Sequence, residues 1–201
     1  MMVASVSFLN AQNTKARIGF KAGINFSNLY DDTVDDSNVL TGINFGMFAK
    51  LPITSSIAIQ PEVYLTTKGA KVTYTNSFAD GTVKYNLNYV EVPVLVVINV
   101  TKNFTIHGGP YAAYLVDGKV TNDSNVTLFD FENNIDKNEY ERIDYGLAGG
   151  IAFDFHAFSF GARYNYGLAK VGKETTYNEM TYTFPNAKNS VASLYVSVSI
   201  E

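Results

Sequence analysis

Cysteine is missing from all 201 residues, which excludes disulfides, thiolate metal centres, a catalytic thiol and a lipidated N-terminal cysteine. Tryptophan is missing as well, and only two histidines are present, His107 and His156. Charge is scarce: 17% of the residues are charged, against roughly 25% in an ordinary soluble domain. Basic charge is in deficit, with a net charge of −4, so no nucleic-acid-binding face is expected. Long hydrophobic runs are also lacking. The longest, Val92 to Ile98, is interrupted by Pro93 and falls far short of the ~18 residues of a transmembrane helix. The opening stretch MMVASVSFLNAQ is apolar and offers Ala11 as a cleavage residue, but no Lys or Arg precedes Lys15. Residues 1–11 are read as the remnant of a signal peptide or a disordered terminus.

What is abundant is alternation. In IAIQPEVYLTTKG (Ile57 to Gly69), Ile57, Ile59, Pro61, Val63, Leu65 and Thr67 share one face of a strand, and Ala58, Gln60, Glu62, Tyr64, Thr66 and Lys68 the other. In YVEVPVLVVINV, from Tyr89, the apolar set is Val90, Val92, Val94, Val96 and Ile98, with Glu91 opposed. About eight such segments follow one another, and helical periodicity is not persuasive anywhere. The others begin at Arg17, Thr41, Phe104, Ile143, Phe158 and Ser190. The third is expected to end at Gly69 and the fourth to start at Tyr85. Connections alternate long and short, which is the meander of an outer-membrane barrel with short periplasmic turns and long extracellular loops. Both termini then lie on the periplasmic side.

Two eight-stranded barrels compete: a lipocalin-like soluble carrier of a small hydrophobic ligand hides its apolar face inside, and a membrane barrel shows it to lipid. The second face separates them. In the segment from Ile143 it reads Asp144, Gly146, Ala148, Gly150, Ala152 and Asp154, and in the first strand it is mostly Gly and Asn. A water-facing exterior would be charged at roughly a quarter to a third of positions. Small residues instead suit a narrow lumen, and the apolar face from Ile57 to Leu65 and from Val90 to Ile98 carries no charge. The expected fold is all-β: an antiparallel up-and-down transmembrane barrel of about eight strands in a single domain, residues 12–201. Pro61 should break the hydrogen-bond ladder on the lipid side, mirrored by Pro93 next door.

The ordered set GFKAGINFSNL, IQPEVYLTTKG, YVEVPVLV, GGPYAAYL, DYGLAGGIAF and RYNYGLAKV resembles the PorT-like outer-membrane β-barrel domain of Gram-negative bacteria, from about Arg17 to Ile200. The resemblance implies outer-membrane localisation, synthesis with a signal peptide and insertion by the barrel assembly machinery. It also implies a link to protein secretion in some members. Two features depart from the family pattern. Val97 stands where a lysine usually follows the proline, and the chain ends Ile200-Glu201 rather than in an aromatic residue.

Glu62, Glu91, Arg163 and Lys21 share the small, polar face. Centring the third and fourth strands on their connection places Glu62 opposite Glu91, where two carboxylates repel. Arg163 is the natural bridging cation, with Lys21 in support. One reading is a gate or proton-linked site; the preferred reading is a structural charge cluster filling the lumen. His107 invites a catalytic reading, but a nucleophile and base need hydrogen-bond geometry, and His156 belongs to a turn. No catalytic residue, metal site or cofactor is expected. Tyr64, Tyr89, Tyr111 and Tyr195 point inward as space-fillers, and Phe104, Phe155 and Phe158 form an interfacial girdle. The acidic loops around Asp31, Asp32, Asp35 and Asp36, and around Asp123, Asp130, Glu132 and Asp136, lack Ca²⁺-loop spacing and are read as solvated. The expected function is that of an integral outer-membrane barrel with a plugged lumen. Its role is structural or surface-interacting, with membrane lipid around it and a protein partner at its extracellular loops.

Overall fold

A computed structural model describes residues 15–30, 39–75, 80–124, 131–134, 141–171, 174–177, 180–183 and 187–200. Its strands are β1 (Arg17–Tyr30), β2 (Leu40–Pro52), β3 (Ile57–Thr75), β4 (Asp80–Asn99), β5 (Phe104–Ser124), β6 (Phe131–Asn134), β7 (Ile143–Phe155), β8 (Phe158–Lys170), β9 (Glu174–Tyr177), β10 (Met180–Thr183) and β11 (Lys188–Ile200). Eight of them close a ring: β4, β3, β2, β1, β11, β8, β7 and β5 pair in that order, and β5 pairs back to β4. Every ladder is antiparallel, and the first and last strands make the seam from Ile18↔Ile200 to Tyr30↔Lys188. Closure leaves no edge at membrane depth, which a lipid solvent demands of a sheet.

The period-two reading holds on every barrel strand. Ile18 and Leu194 are 61% and 58% exposed, whereas Glu62 and Glu91, on the opposite parity, are each 1% exposed. A soluble carrier would reverse these faces. The outward sets run from Ile18 to Phe26 on β1 and from Val90 to Ile98 on β4. Nine residues is about what a tilted strand needs to cross the hydrocarbon. Phe155 and Phe158 lie exposed beside the tight turn at His156 and Ala157. The Phe104 ring is half-buried and packs 5.1 Å from that of Phe153. Exposed Tyr114, Tyr145, Tyr164 and Tyr166 lie on the outer face of β5, β7 and β8; the Tyr164 hydroxyl is 2.7 Å from Ser190 Oγ, and that of Tyr114 accepts from Arg142 Nη1 at 3.3 Å.

Four sequence expectations are corrected, the first being that the loop after the fifth strand is in part strand, with Asp123 in β5 and Glu132 in β6. The connection after the third strand is not a long loop: β3 and β4 continue to the pair Thr75↔Asp80. The sequence from Gly69 to Tyr85 lacks the sustained apolar alternation that marks the strand lower down. With the turn set there, Glu91 pairs with Tyr64 rather than with Glu62. A two-residue shift keeps every side chain on its face but changes which residues meet. Pro93 points inward and is fully buried, so it does not mirror half-buried Pro61 on the lipid side. Residues 1–11 and the acidic positions Asp31, Asp32, Asp35, Asp36, Asp130 and Asp136 lie outside the described residues.

A charge on the lipid face tests this orientation. Val94→Arg, midway along the outward set of β4, is expected to cost about 2–4 kcal/mol, and Ile98→Arg at its end about 0–1 kcal/mol. Reversible guanidinium unfolding in lipid vesicles reads both; equal small effects would contradict the assignment.

Candidate functional site

Inward-pointing side chains from every wall meet across the lumen in two charged layers. The first centres on Glu62 of β3. Its carboxylate accepts from Lys21 Nζ of β1 at 2.7 Å, and from Arg163 of β8 through Nη1 at 2.6 Å and Nη2 at 3.0 Å. Gln60 Nε2 adds a bond at 2.6 Å, and the Tyr64 hydroxyl both donates to Glu62 and accepts from Arg163. The paired Arg163 contacts form the two-pronged geometry that fits guanidinium to carboxylate. The Tyr195 ring supports both cations, 4.3 Å from Lys21 Nζ and 5.6 Å from Arg163 Cζ. Neighbouring strands make room for these large groups. A Cβ on Gly161 would come within 2.3 Å of Tyr195 Cζ, and one on Gly150 within 2.7 Å of His107 Nε2.

The second layer centres on Lys68, four turns of side-chain alternation beyond Gln60 on β3. Its ammonium lies 2.6 Å from Glu91 Oε2 of β4 and 2.8 Å from Asp144 Oδ2 of β7. Asn165 Nδ2 donates to Glu91 Oε1 at 2.7 Å, and Asn189 Nδ2 to Asp144 Oδ2 at 3.1 Å. The Tyr111 and Tyr89 rings lie 4.4 and 5.2 Å from the ammonium. Beside it an apolar cluster includes Leu87, Leu95, Leu115 and Ala148. Between the layers is a gap of about 20 Å³ bordered by Tyr64, Thr66 and Asn44, room for about one water. Asn25 joins the walls near the seam, donating to Thr66 Oγ1 at 2.8 Å and accepting from Ser193 Oγ at 2.8 Å.

Lys21, Glu62 and Arg163 are therefore brought into contact, and Glu91 is not part of their group. Arg163 does not bridge the two carboxylates, because the register places Glu91 within reach of Lys68 instead. The first layer has two cations to one carboxylate, and the second one cation to two carboxylates. In formal charge each alone is unbalanced, and the two offset each other. Lys68 and Asp144 were not singled out from the sequence, although parity puts both on the face of Glu62 and Glu91. His107 is 8% exposed, and its Nε2 accepts from Arg163 Nε at 3.3 Å, so that lone pair is occupied by a cation and not by a hydroxyl nucleophile. His156 sits in the β7–β8 turn with φ of 52°. Among the described residues no three His, Asp or Glu side chains gather as metal ligands would.

The sequence that builds this eight-stranded ring, apolar outside and charged inside, matches a family model. The outer membrane protein beta-barrel domain fits residues 10–172. The chain belongs to that family. It is an integral protein of the outer membrane. The Neisserial surface protein A (NspA) crystal structure is similar to it with a TM-score of 0.51 and 14% identity, over 93% of this chain and 100% of that one. The attachment invasion locus protein Ail of Yersinia pestis, solved with the heparin analogue sucrose octasulfate, gives a TM-score of 0.49 and 15% identity, over 93% of this chain and 100% of that one. No curated protein matches in sequence.

Removing one partner from a buried ion pair leaves an uncompensated charge, which costs about 3–5 kcal/mol. Arg163→Met and Lys68→Met are each expected to lower stability by that amount in guanidinium unfolding in detergent, followed by circular dichroism. A shift below about 1 kcal/mol for either, the level of an exposed pair, would show that its layer does not hold the walls together.

Proposed function

We propose that this outer-membrane barrel is a non-conducting, non-enzymatic surface protein that meets its partner above the membrane. The observation that carries this reading is the height of β3, β4 and β5, which run for 19, 20 and 21 residues. About 9–11 residues suffice to cross the hydrocarbon. The surplus lies at the extracellular end, where Lys71↔Lys84 and Tyr85↔Val120 continue the ladders and β6 adds a further strand against β5. A sheet carried that far into water has no role in spanning the membrane; it offers a rigid surface and an edge to which another chain can add.

A plugged lumen fits the same reading. The layers around Glu62 and Lys68 cross a barrel barely wide enough for its own side chains. The link to secretion implied by the PorT-like resemblance would use the same extracellular surface, with the barrel assembly machinery acting only during insertion. Catalysis gains no support from His107, whose Nε2 is bonded to Arg163.

The test shortens the hairpin by joining Gly69 to Tyr85 through a two-residue turn. Full-length and shortened barrels, both checked for heat-modifiable migration, are screened on peptide and glycan arrays and in planar bilayers. Selective binding by the full chain alone, with silent bilayers from both, is the expected result. Binding that survives the shortening, or unitary conductance steps from the full chain, would overturn it.

A further inference from the structure

Among the described residues, none fills the periplasmic mouth of the barrel. A cavity of about 550 Å³ opens there, within the size range of ligand pockets. The space arises because the inward positions of β7, β8 and β11 turn small towards this end. Ala152, Ser159, Ser197 and Ser199 stand where Arg163 and Tyr195 stand further in. Arg17 of β1, Lys50 of β2 and Lys102 of the β4–β5 turn border the cavity, and Asp154 is its one carboxylate among the described residues. Asp154 already accepts from Ser159 Oγ at 2.6 Å. The floor is Lys21, part of the layer in which cations outnumber carboxylates, and His107 lies beside it. Cationic charge is thus concentrated at one mouth of a chain whose net charge is −4.

Lys50 is the informative residue. It is half-buried, and its hydrogen bond to Asn99 Oδ1 is long, at 3.4 Å. The Asp154 carboxylate already acts on this ammonium, and a phosphate entering the cavity would add charge-assisted bonds, roughly twice as strong as neutral ones. The remaining lining is rich in hydroxyls and amides, among them Ser55, Gln60, Asn99 and Asn103. Such groups bond to hydroxyls and do not attract apolar chains.

We infer that this vestibule binds a phosphate group carried on a small polyol, held by Lys50 with Lys102 beside it. The same chemistry occurs in a phospholipid headgroup and in a free polyol phosphate.

The experiment uses the full chain in a non-ionic detergent free of phospholipid, titrated with sn-glycerol 3-phosphate and, as a control, with glycerol. Saturable calorimetric binding of the phosphate alone is expected, with amide NMR shifts at Lys50, Asn99 and Ser197 and weakening as salt is raised. Lys50→Gln, confirmed as folded by heat-modifiable migration, is expected to weaken binding at least about tenfold, the loss of one charge-assisted contact. In a second arm, barrels released from phosphatidylglycerol nanodiscs are examined by native mass spectrometry. Lipid retained by the parent and lost in Lys50→Gln assigns the site to a headgroup; binding of glycerol phosphate with no retained lipid assigns it to a soluble ligand. No binding in either arm, equal binding by glycerol, or undiminished binding by Lys50→Gln would overturn the inference.

Discussion

The Glu62 carboxylate and its two cations set the terms for the rest of the barrel. A carboxylate withdrawn from water costs several kcal/mol unless it is met by opposite charge and well-placed donors. Glu62 receives Lys21 from one wall, Arg163 from another, and Gln60 and Tyr64 from its own strand. These groups meet only if β1, β3 and β8 hold one depth across the lumen. Each ladder between those strands must then keep its register. One ionic contact therefore constrains the relative heights of strands far apart in sequence.

The lipid solvent imposes the complementary constraint. With the apolar residues turned outward, hydrophobic burial cannot gather a protein interior in the usual way, and specificity must come from backbone ladders and polar contacts inside. The two layers divide that task. The Glu62 layer carries excess positive charge and the Lys68 layer excess negative charge, so each lowers the cost of the other. The positive side faces the periplasmic vestibule, which extends the same polarity to Arg17, Lys50 and Lys102.

Parity was legible from the sequence, and depth was not. Alternation on Ile57 to Lys68 is a local property of the chain, so Glu62, Glu91, Arg163 and Lys21 could all be placed on the inner face. Which of them touch depends on where each hairpin turns, and the polar residues between Gly69 and Tyr85 give no apolar signal to locate the turn. The shift from Glu62 to Tyr64 opposite Glu91 follows from that. Lys68 was visible on the inner face but lay near the expected end of its strand, where a lysine reads as a surface residue. Asp144 stands among small residues on its strand, where its size hides it, although a buried inward carboxylate calls for a cation or donors across the lumen.

The state of the Arg163 side chain tests the central account most directly. Side-chain ¹⁵N NMR of the barrel in lipid nanodiscs separates a clamped guanidinium from a solvated one. Resolved Nη resonances that exchange slowly with water are expected for a group held by Glu62, Tyr64 and His107. A single averaged Nη signal in fast exchange would mean that the cluster is not formed and that the walls are held by their ladders alone.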